Sequence, residues 1–335
     1  MNLTFTFLQS LVLFGGSALC IWYFCNKLSD IVDFIDDRFN LGSAFGGTII
    51  LSVLTNLPEI AITINASIKG NIDLAVGNIL GGILVQSVLL VIFDFAGKKT
   101  TPLSTLTNSE PSKLQGLFLV VILTFVIIGK QFSPGLIFAR TTPPEIAILL
   151  TWLLSIIALR KFQKGDKHTK QPRNSTTSKL TKKSAVTWLV VIGVIVLVFG
   201  ALLEITSDTI ATRLNINGVI FGATFLAFVT SLPEISGGLA FVRAKTYQPI
   251  ISDIFGGNAF LPVLFIPATI ITNKPVLPAL NNADVYLTSS AIIVTAIYVT
   301  GMIISPKSKK FGLGYDSWLC LLLYILSVIG MFYLG

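Results

Sequence analysis

The chain has 335 residues, 53% of them hydrophobic and only 12% charged, with a mean hydropathy of +0.81. Soluble proteins carry about 25% charged residues, so this composition excludes a soluble globular domain and predicts an all-α polytopic membrane protein. The net charge of +8 follows from basic loops and calls for no nucleic-acid partner.

Hydropathy places about ten spans, each near the ~20 residues that a bilayer core requires. They fall at 6–26, 42–66, 72–95, 114–130, 144–160, 186–205, 215–241, 247–273, 284–304 and 313–334. The N-terminal run has no basic flank and no small-residue cleavage site, so it reads as a first membrane helix, not a cleaved signal. After it, Asp30 to Arg38 carries Ile31, Phe34 and Ile35 at helical spacing. That stretch either extends the first helix or lies along the interface. Spans 42–66 and 215–241 are interrupted by Gly and Pro. Between spans five and six, residues 161–185 are rich in Lys, Ser, Thr and Gln, the composition of a flexible linker. It serves as a tether or touches anionic headgroups, and it separates an N-terminal half (1–160) from a C-terminal half (186–335).

With the N-terminus outside, 19 of the 24 Lys and Arg residues lie on the cytoplasmic side. The positive-inside rule then predicts ten spans with both termini outside, in the plasma (inner) membrane. Five spans per half is an odd number, so the second half enters the bilayer from the opposite side. Two related halves are then inverted 5-helix repeats, whose sites form at the midplane.

Catalytic chemistry is short of parts. Cys20, Cys25 and Cys320 all sit in apolar runs, which argues against a disulfide framework and thiolate metal sites. The single histidine, His168, lies in the polar linker. Neither an enzyme nor a resident cofactor is expected.

The chemistry lies in a phrase that occurs twice: Thr55-Asn56-Leu57-Pro58-Glu59 and Thr230-Ser231-Leu232-Pro233-Glu234. A carboxylate at membrane depth costs ~3 kcal/mol or more, which marks a functional site. The two glutamates are 175 residues apart, and that register pairs Gly47 with Gly222, Thr55 with Thr230 and Pro58 with Pro233. Without a gap it also pairs Asn78 with Asp253, Gly81 with Gly256 and Gly82 with Gly257. Internal duplication accounts for this. Each proline removes a backbone donor and frees carbonyls, and in lipid a cation or water cavity satisfies them. Thr and Glu four residues apart share a helical face and are hard oxygen ligands suited to Ca²⁺ or Na⁺. Asn78 and Asp253 add an amide oxygen and a third carboxylate. Without Lys or Arg at that depth, such a group binds cations or protons. Competition for one ligand set is the physical basis of antiport.

With these motifs in view, the chain resembles the calcium/cation antiporter superfamily, on the sodium/calcium exchanger side. That family carries two inverted alpha-repeats, each with a G-T-S-x-P-E-like phrase followed by G-N-x-x-G-S-N. The matching segments here are Thr55 to Glu59 with Gly77 to Gly82, and Thr230 to Glu234 with Ser252 to Asn258. The resemblance implies alternating access around four cation sites. It makes Glu59 and Glu234 the central Ca²⁺ ligands, with Thr55, Asn56, Thr230 and Ser231 flanking them. Asn78 and Asp253 form a further pair, and backbone carbonyls near Ser52 and Ala227 complete the sodium sites. Inorganic cations and the bilayer are the partners it implies, with no obligate protein partner.

The departures fall on the sodium ligands. The repeat serine is Gly82 and Gly257, the following Asn survives only as Asn258 with Ile83 in the first half, and Asn56 replaces a serine. One turn before Asn78 and Asp253 stand Leu74 and Pro249. Ca²⁺/Na⁺ exchange is the leading reading, and the same fold coupled to H⁺ or moving another cation is the second. A cation channel is the third, although channels set acidic rings around a symmetric oligomer and these ligands pair within one chain.

Overall fold

The computed structural model describes residues 5–39, 51–98, 100–133, 140–163 and 181–334. They form an all-helical protein. In order, α1 is Phe7–Phe39, α2 Leu51–Thr55, α3 Leu57–Lys69 and α4 Ile72–Ala96. The short α5 (Leu103–Leu106) precedes α6 (Glu110–Lys130) and α7 (Pro143–Gln163). The chain resumes with α8 (Lys182–Leu214) and α9 (Gly218–Phe221), then a π-helical turn over Gly222–Leu226, α10 (Ala227–Thr230) and α11 (Leu232–Arg243). Last come α12 (Gln248–Phe260), a 3₁₀ turn, α13 (Phe265–Thr272), α14 (Asn282–Ile304) and α15 (Tyr315–Leu334).

Seven helices among the described residues are long and apolar enough to cross a membrane. The segments Gly218–Thr230 and Leu232–Arg243 pass the same test together, bent by 44°, and Pro143–Leu159 is a shorter apolar helix. The protein is therefore multi-pass. Residues 40–50, which hold the start of span 42–66 and Gly47, lie outside the described residues. The first helix continues to Phe39, so Asp30 to Arg38 extends it. Helices α7 and α8 run into both ends of the 161–185 stretch, and its middle, 164–180, lies outside the described residues.

The core is centred on α4. Its sequence is apolar on every side, the pattern of a helix enclosed by others, and almost every residue from Leu74 to Asp94 is buried. Small residues permit this enclosure. A Cβ on Gly81 would collide with the Ala223 backbone, and one on Gly77 would lie 2.5 Å from the Val219 carbonyl oxygen. Close backbone approach through small residues is how helices associate where lipid removes the hydrophobic drive. The outward faces carry the opposite pattern. On α15, Trp318, Leu319, Leu322, Ile325, Leu326 and Ile329 form an exposed stripe at helical spacing, suited to acyl chains.

Candidate cation site

Both repeated phrases break a helix in the same way. Helix α2 ends at Thr55 and α3 begins at Leu57, with Asn56 between them at φ −90°, ψ 17°. In the second half α10 ends at Thr230 and α11 begins at Leu232, with Ser231 at φ −84°, ψ 2°. Proline at the second position of the new helix needs no backbone donor there, so it starts α3 and α11 at no hydrogen-bond cost. The first helical bond after each break matches too: Ile60 N–H donates to Asn56 O (3.0 Å) and Ile235 N–H to Ser231 O (3.1 Å). Thr55 and Glu59 are thus separated by a break, and do not sit on one continuous helix as their spacing suggests. The break leaves each glutamate in the first turn of its helix, where the helix dipole favours a negative charge.

The fold brings Glu59, Glu234, Asp253 and Thr230 together. Glu59 is 0% exposed and Glu234 6%. Both carboxylate oxygens of Glu59, and Oε2 of Glu234, are buried without a hydrogen-bond partner. Glu59 and Asp253 are the acidic neighbours of Glu234. The Thr230 side chain lies beside Glu59, but its hydroxyl donates to the Ala227 carbonyl (3.2 Å) instead of to the carboxylate. Ser231 Oγ donates to the same carbonyl (2.7 Å). A hydroxyl whose proton is spent on its own helix keeps its lone pairs for a cation. Ala227, expected to offer that carbonyl to sodium, is buried and already accepts these bonds and one from Ser231 N–H (3.1 Å).

The second polar cluster completes the crossing. Asn78 is fully buried, and neither its amide oxygen nor its nitrogen has a partner. Asn56 faces α12, because a Cβ on Gly257 would sit 3.4 Å from its Nδ2. Asn258 Nδ2 donates to the carbonyl of Ile83 and to Ser87 Oγ, both at 3.3 Å. Ile83 and Asn258 are themselves one 175-residue register apart, so this bond joins equivalent positions of the two halves. Ser52 lies in α2, one turn before Thr55.

Two site neighbours escaped the sequence reading. Thr63, one turn beyond Glu59 on α3, is fully buried with an unpartnered hydroxyl; its spacing of four from Glu59 was the available signal. The thiol of Cys25 on α1 neighbours both glutamates, and nothing local to its sequence marks that.

Burying an unpaired charge costs several kcal/mol even after relaxation, and no salt bridge among the described residues reaches Glu59 or Glu234. Three other buried acids do have polar partners. Asp94 pairs with Lys309 (2.9 Å) and Glu204 with Lys69 (2.8 Å). Glu145 accepts from Thr269 Oγ1 (2.5 Å) and Thr142 N–H (2.8 Å). Carboxylates left without compensation, and contributed by both halves, are oxygen donors of the kind that hard cations prefer.

Comparison with known proteins places this chain in a class. The model of the family described as sodium/calcium exchanger protein matches residues 9–160 and 184–333. The chain belongs to that family of membrane exchangers. Inner membrane protein YrbG of Escherichia coli (strain K12) is 22% identical over 329 residues, covering 93% of this chain and 96% of that protein. Among solved structures, the sodium-calcium exchanger NCX_Mj soaked with Na⁺ and Sr²⁺ superposes with a TM-score of 0.62 at 18% identity, covering 97% of this chain and 99% of that one. The H⁺/Ca²⁺ exchanger CAX gives 0.71 at 12% identity, covering 97% and 87%. At these identities the two structures establish the fold alone.

Proposed function

We propose that this protein is a secondary active antiporter that exchanges Ca²⁺ for Na⁺ by alternating access at the site between the two broken helices. The observation that carries the reading is the pair of buried glutamates, one from each repeat, with carboxylate oxygens left without protein partners. Two carboxylates match the charge of one Ca²⁺, and Asp253, Asn78, Asn56, Thr55, Thr230 and Ser231 supply further oxygens, with main-chain carbonyls near Ser52 and Ala227. Ten spans in two inverted 5-helix halves accommodate the matched breaks, with the seven spanning helices, the bent pair and Pro143–Leu159 supplying nine and 42–66 the tenth. The 19 basic residues on one side support termini on the outer face of an inner (plasma) membrane.

Coupling to H⁺ is the second reading, and a specific pattern favours it. The hydroxyls expected of sodium ligands are absent at Gly82, Gly257, Leu74 and Pro249, and the H⁺/Ca²⁺ exchanger CAX shares the fold. Proteoliposome flux separates the two. Ca²⁺ uptake driven by an outward Na⁺ gradient is the expected result. Uptake driven only by a pH gradient transfers the assignment to H⁺ coupling, and Ca²⁺ passage down its own gradient alone makes the protein a channel.

The glycines offer a second test. A Cβ at Gly82 would meet nothing nearer than Leu261 Cδ1 at 3.7 Å, and one at Gly257 only Asn56 Nδ2 at 3.4 Å, so both positions admit a β-carbon. In the Gly82→Ser/Gly257→Ser chain the Na⁺ concentration for half-maximal Ca²⁺ exchange should fall by about tenfold, equivalent to ~1.4 kcal/mol. An unchanged Na⁺ dependence would remove these hydroxyls from the coupling mechanism.

A further inference from the structure

The two halves fasten their ends by the same device. Ser109 and Asn281, the N-caps of α6 and α14, are 172 residues apart, and so are Pro143 and Tyr315, the first residues of α7 and α15. In that register Glu145 corresponds to Ser317. Thr269 Oγ1 donates to Glu145 Oε1 (2.5 Å) at one end, and Ser317 Oγ donates to Asp94 Oδ2 (2.8 Å) at the other. Asp94 and Thr269 are one 175-residue register apart. Acid and hydroxyl have simply exchanged places, and each bond ties one half to the other.

At the Asp94 end, however, there is additional polar chemistry. Tyr298, Asp316 and Cys320 correspond by the 172 register to Val126, Pro144 and Ile148, which are buried and apolar. Tyr298 and Ser104 are 1% exposed and Asp316 8%. The Tyr298 hydroxyl, the Ser104 hydroxyl and both carboxylate oxygens of Asp316 have no hydrogen-bond partner. These groups converge. The Asp316 carboxylate fills the space that side chains on Gly301 and Gly314 would need, and Gly301 lies one turn along α14 from Tyr298. Ser104 stands beside Asp316, and Tyr298 is within electrostatic reach of it.

The neighbouring charges cancel each other. Asp94 is saturated by Lys309 (2.9 Å), Leu103 N–H (2.6 Å), Gly314 N–H (2.8 Å) and Ser317 Oγ. Lys309 also donates to the Asp94 carbonyl. The ionised Asp316 would therefore contribute one net negative charge among oxygen donors. Hard oxygens suit a hard cation, and a single charge is neutralised by a monovalent one, whereas a divalent ion would leave an excess positive charge beside Lys309.

We propose that Asp316, Tyr298 and Ser104 form a second cation site, selective for Na⁺, at the end of the molecule where α14 enters the 305–314 loop. It is separate from the central glutamates and independent of their role.

The test uses the full chain carrying Glu59→Gln, Glu234→Gln and Asp253→Asn, which removes all three central carboxylates. NaCl replaces choline chloride at constant ionic strength and pH while the thermal unfolding midpoint is followed. A saturable rise with Na⁺ is expected. Adding Asp316→Asn should abolish it, and Tyr298→Phe should raise the half-saturating concentration about tenfold. The proposal is overturned by no Na⁺ response in the parent chain, by a response that survives Asp316→Asn, or by one that K⁺ or choline matches. A rise obtained by acidification alone makes Asp316 a proton site and also overturns it. Should Asp316→Asn fail to fold, Ser104→Ala and Tyr298→Phe decide the matter, and an unchanged half-saturation in both sinks the proposal. Because the central site is already disabled, none of these failures bears on the antiporter assignment.

Discussion

Glu59→Gln should lower Ca²⁺ transport by about 100-fold or more while leaving the apo protein at least as stable as the parent. The two effects have opposite signs for one reason. In the apo protein the Glu59 carboxylate is buried and its oxygens lack hydrogen-bond partners, so its charge is a cost that the neutral, isosteric amide removes. In the proposed cation-loaded state the same charge would be half of the pair facing the ion. Losing one member of a buried pair costs about 3–5 kcal/mol, and ~3 kcal/mol already exceeds 100-fold in affinity. Glu234→Gln should behave alike, with a smaller gain in apo stability, because 6% of Glu234 is exposed. Flux into proteoliposomes and thermal unfolding in chelator give the two readouts. Wild-type exchange in either variant, or a large loss of apo stability, removes these glutamates from the centre of the site.

Much of this was legible in the sequence because the relevant signals are local or repeated. Long apolar runs mark the spans, and the constant register of 175 links Glu59 to Glu234 and Asn78 to Asp253. The breaks at Asn56 and Ser231 follow from the prolines two residues on. What stayed hidden is tertiary. Asp94 lies at the end of an apolar run and Lys309 in a loop, 215 residues apart, and no window joins them. Glu204 likewise lies near the end of span 186–205, and its partner Lys69 is the last residue of α3, 135 residues away. The sequence pointed to three buried carboxylates; the fold buries Glu59 and Glu234, leaves Asp253 half-buried, and also buries Asp94, Glu145, Glu204, Asp284 and Asp316. The π-helical turn at Gly222–Leu226 had no signal beyond Gly222, whose backbone meets Leu74 and Asn78 of α4 so closely that a Cβ would lie 2.6 Å from the Leu74 carbonyl oxygen. Such turns concentrate at functional sites, and this one leads directly into the second glutamate phrase.

Lys309→Met should have the converse outcome to the glutamate substitutions. Its side chain is 2% exposed and Asp94 is completely buried, with 2.9 Å between ammonium and carboxylate. Methionine replaces the packing of the stem but leaves the Asp94 charge supported only by two backbone N–H groups and Ser317 Oγ. The expected loss is about 3–5 kcal/mol of stability, seen as a lower unfolding midpoint in cation-free buffer. Adding Asp94→Asn should recover a large part of it, because the orphaned charge is gone, and a double variant no more stable than Lys309→Met would show that the pair is not what holds this end. The contrast with Glu59 turns burial into a functional criterion. At the Lys309 end, deleting the cation destabilises an acid that the fold had already neutralised. At Glu59, deleting the acid should relieve a charge that has no ion-pair partner among the described residues, as the proposed cation site requires.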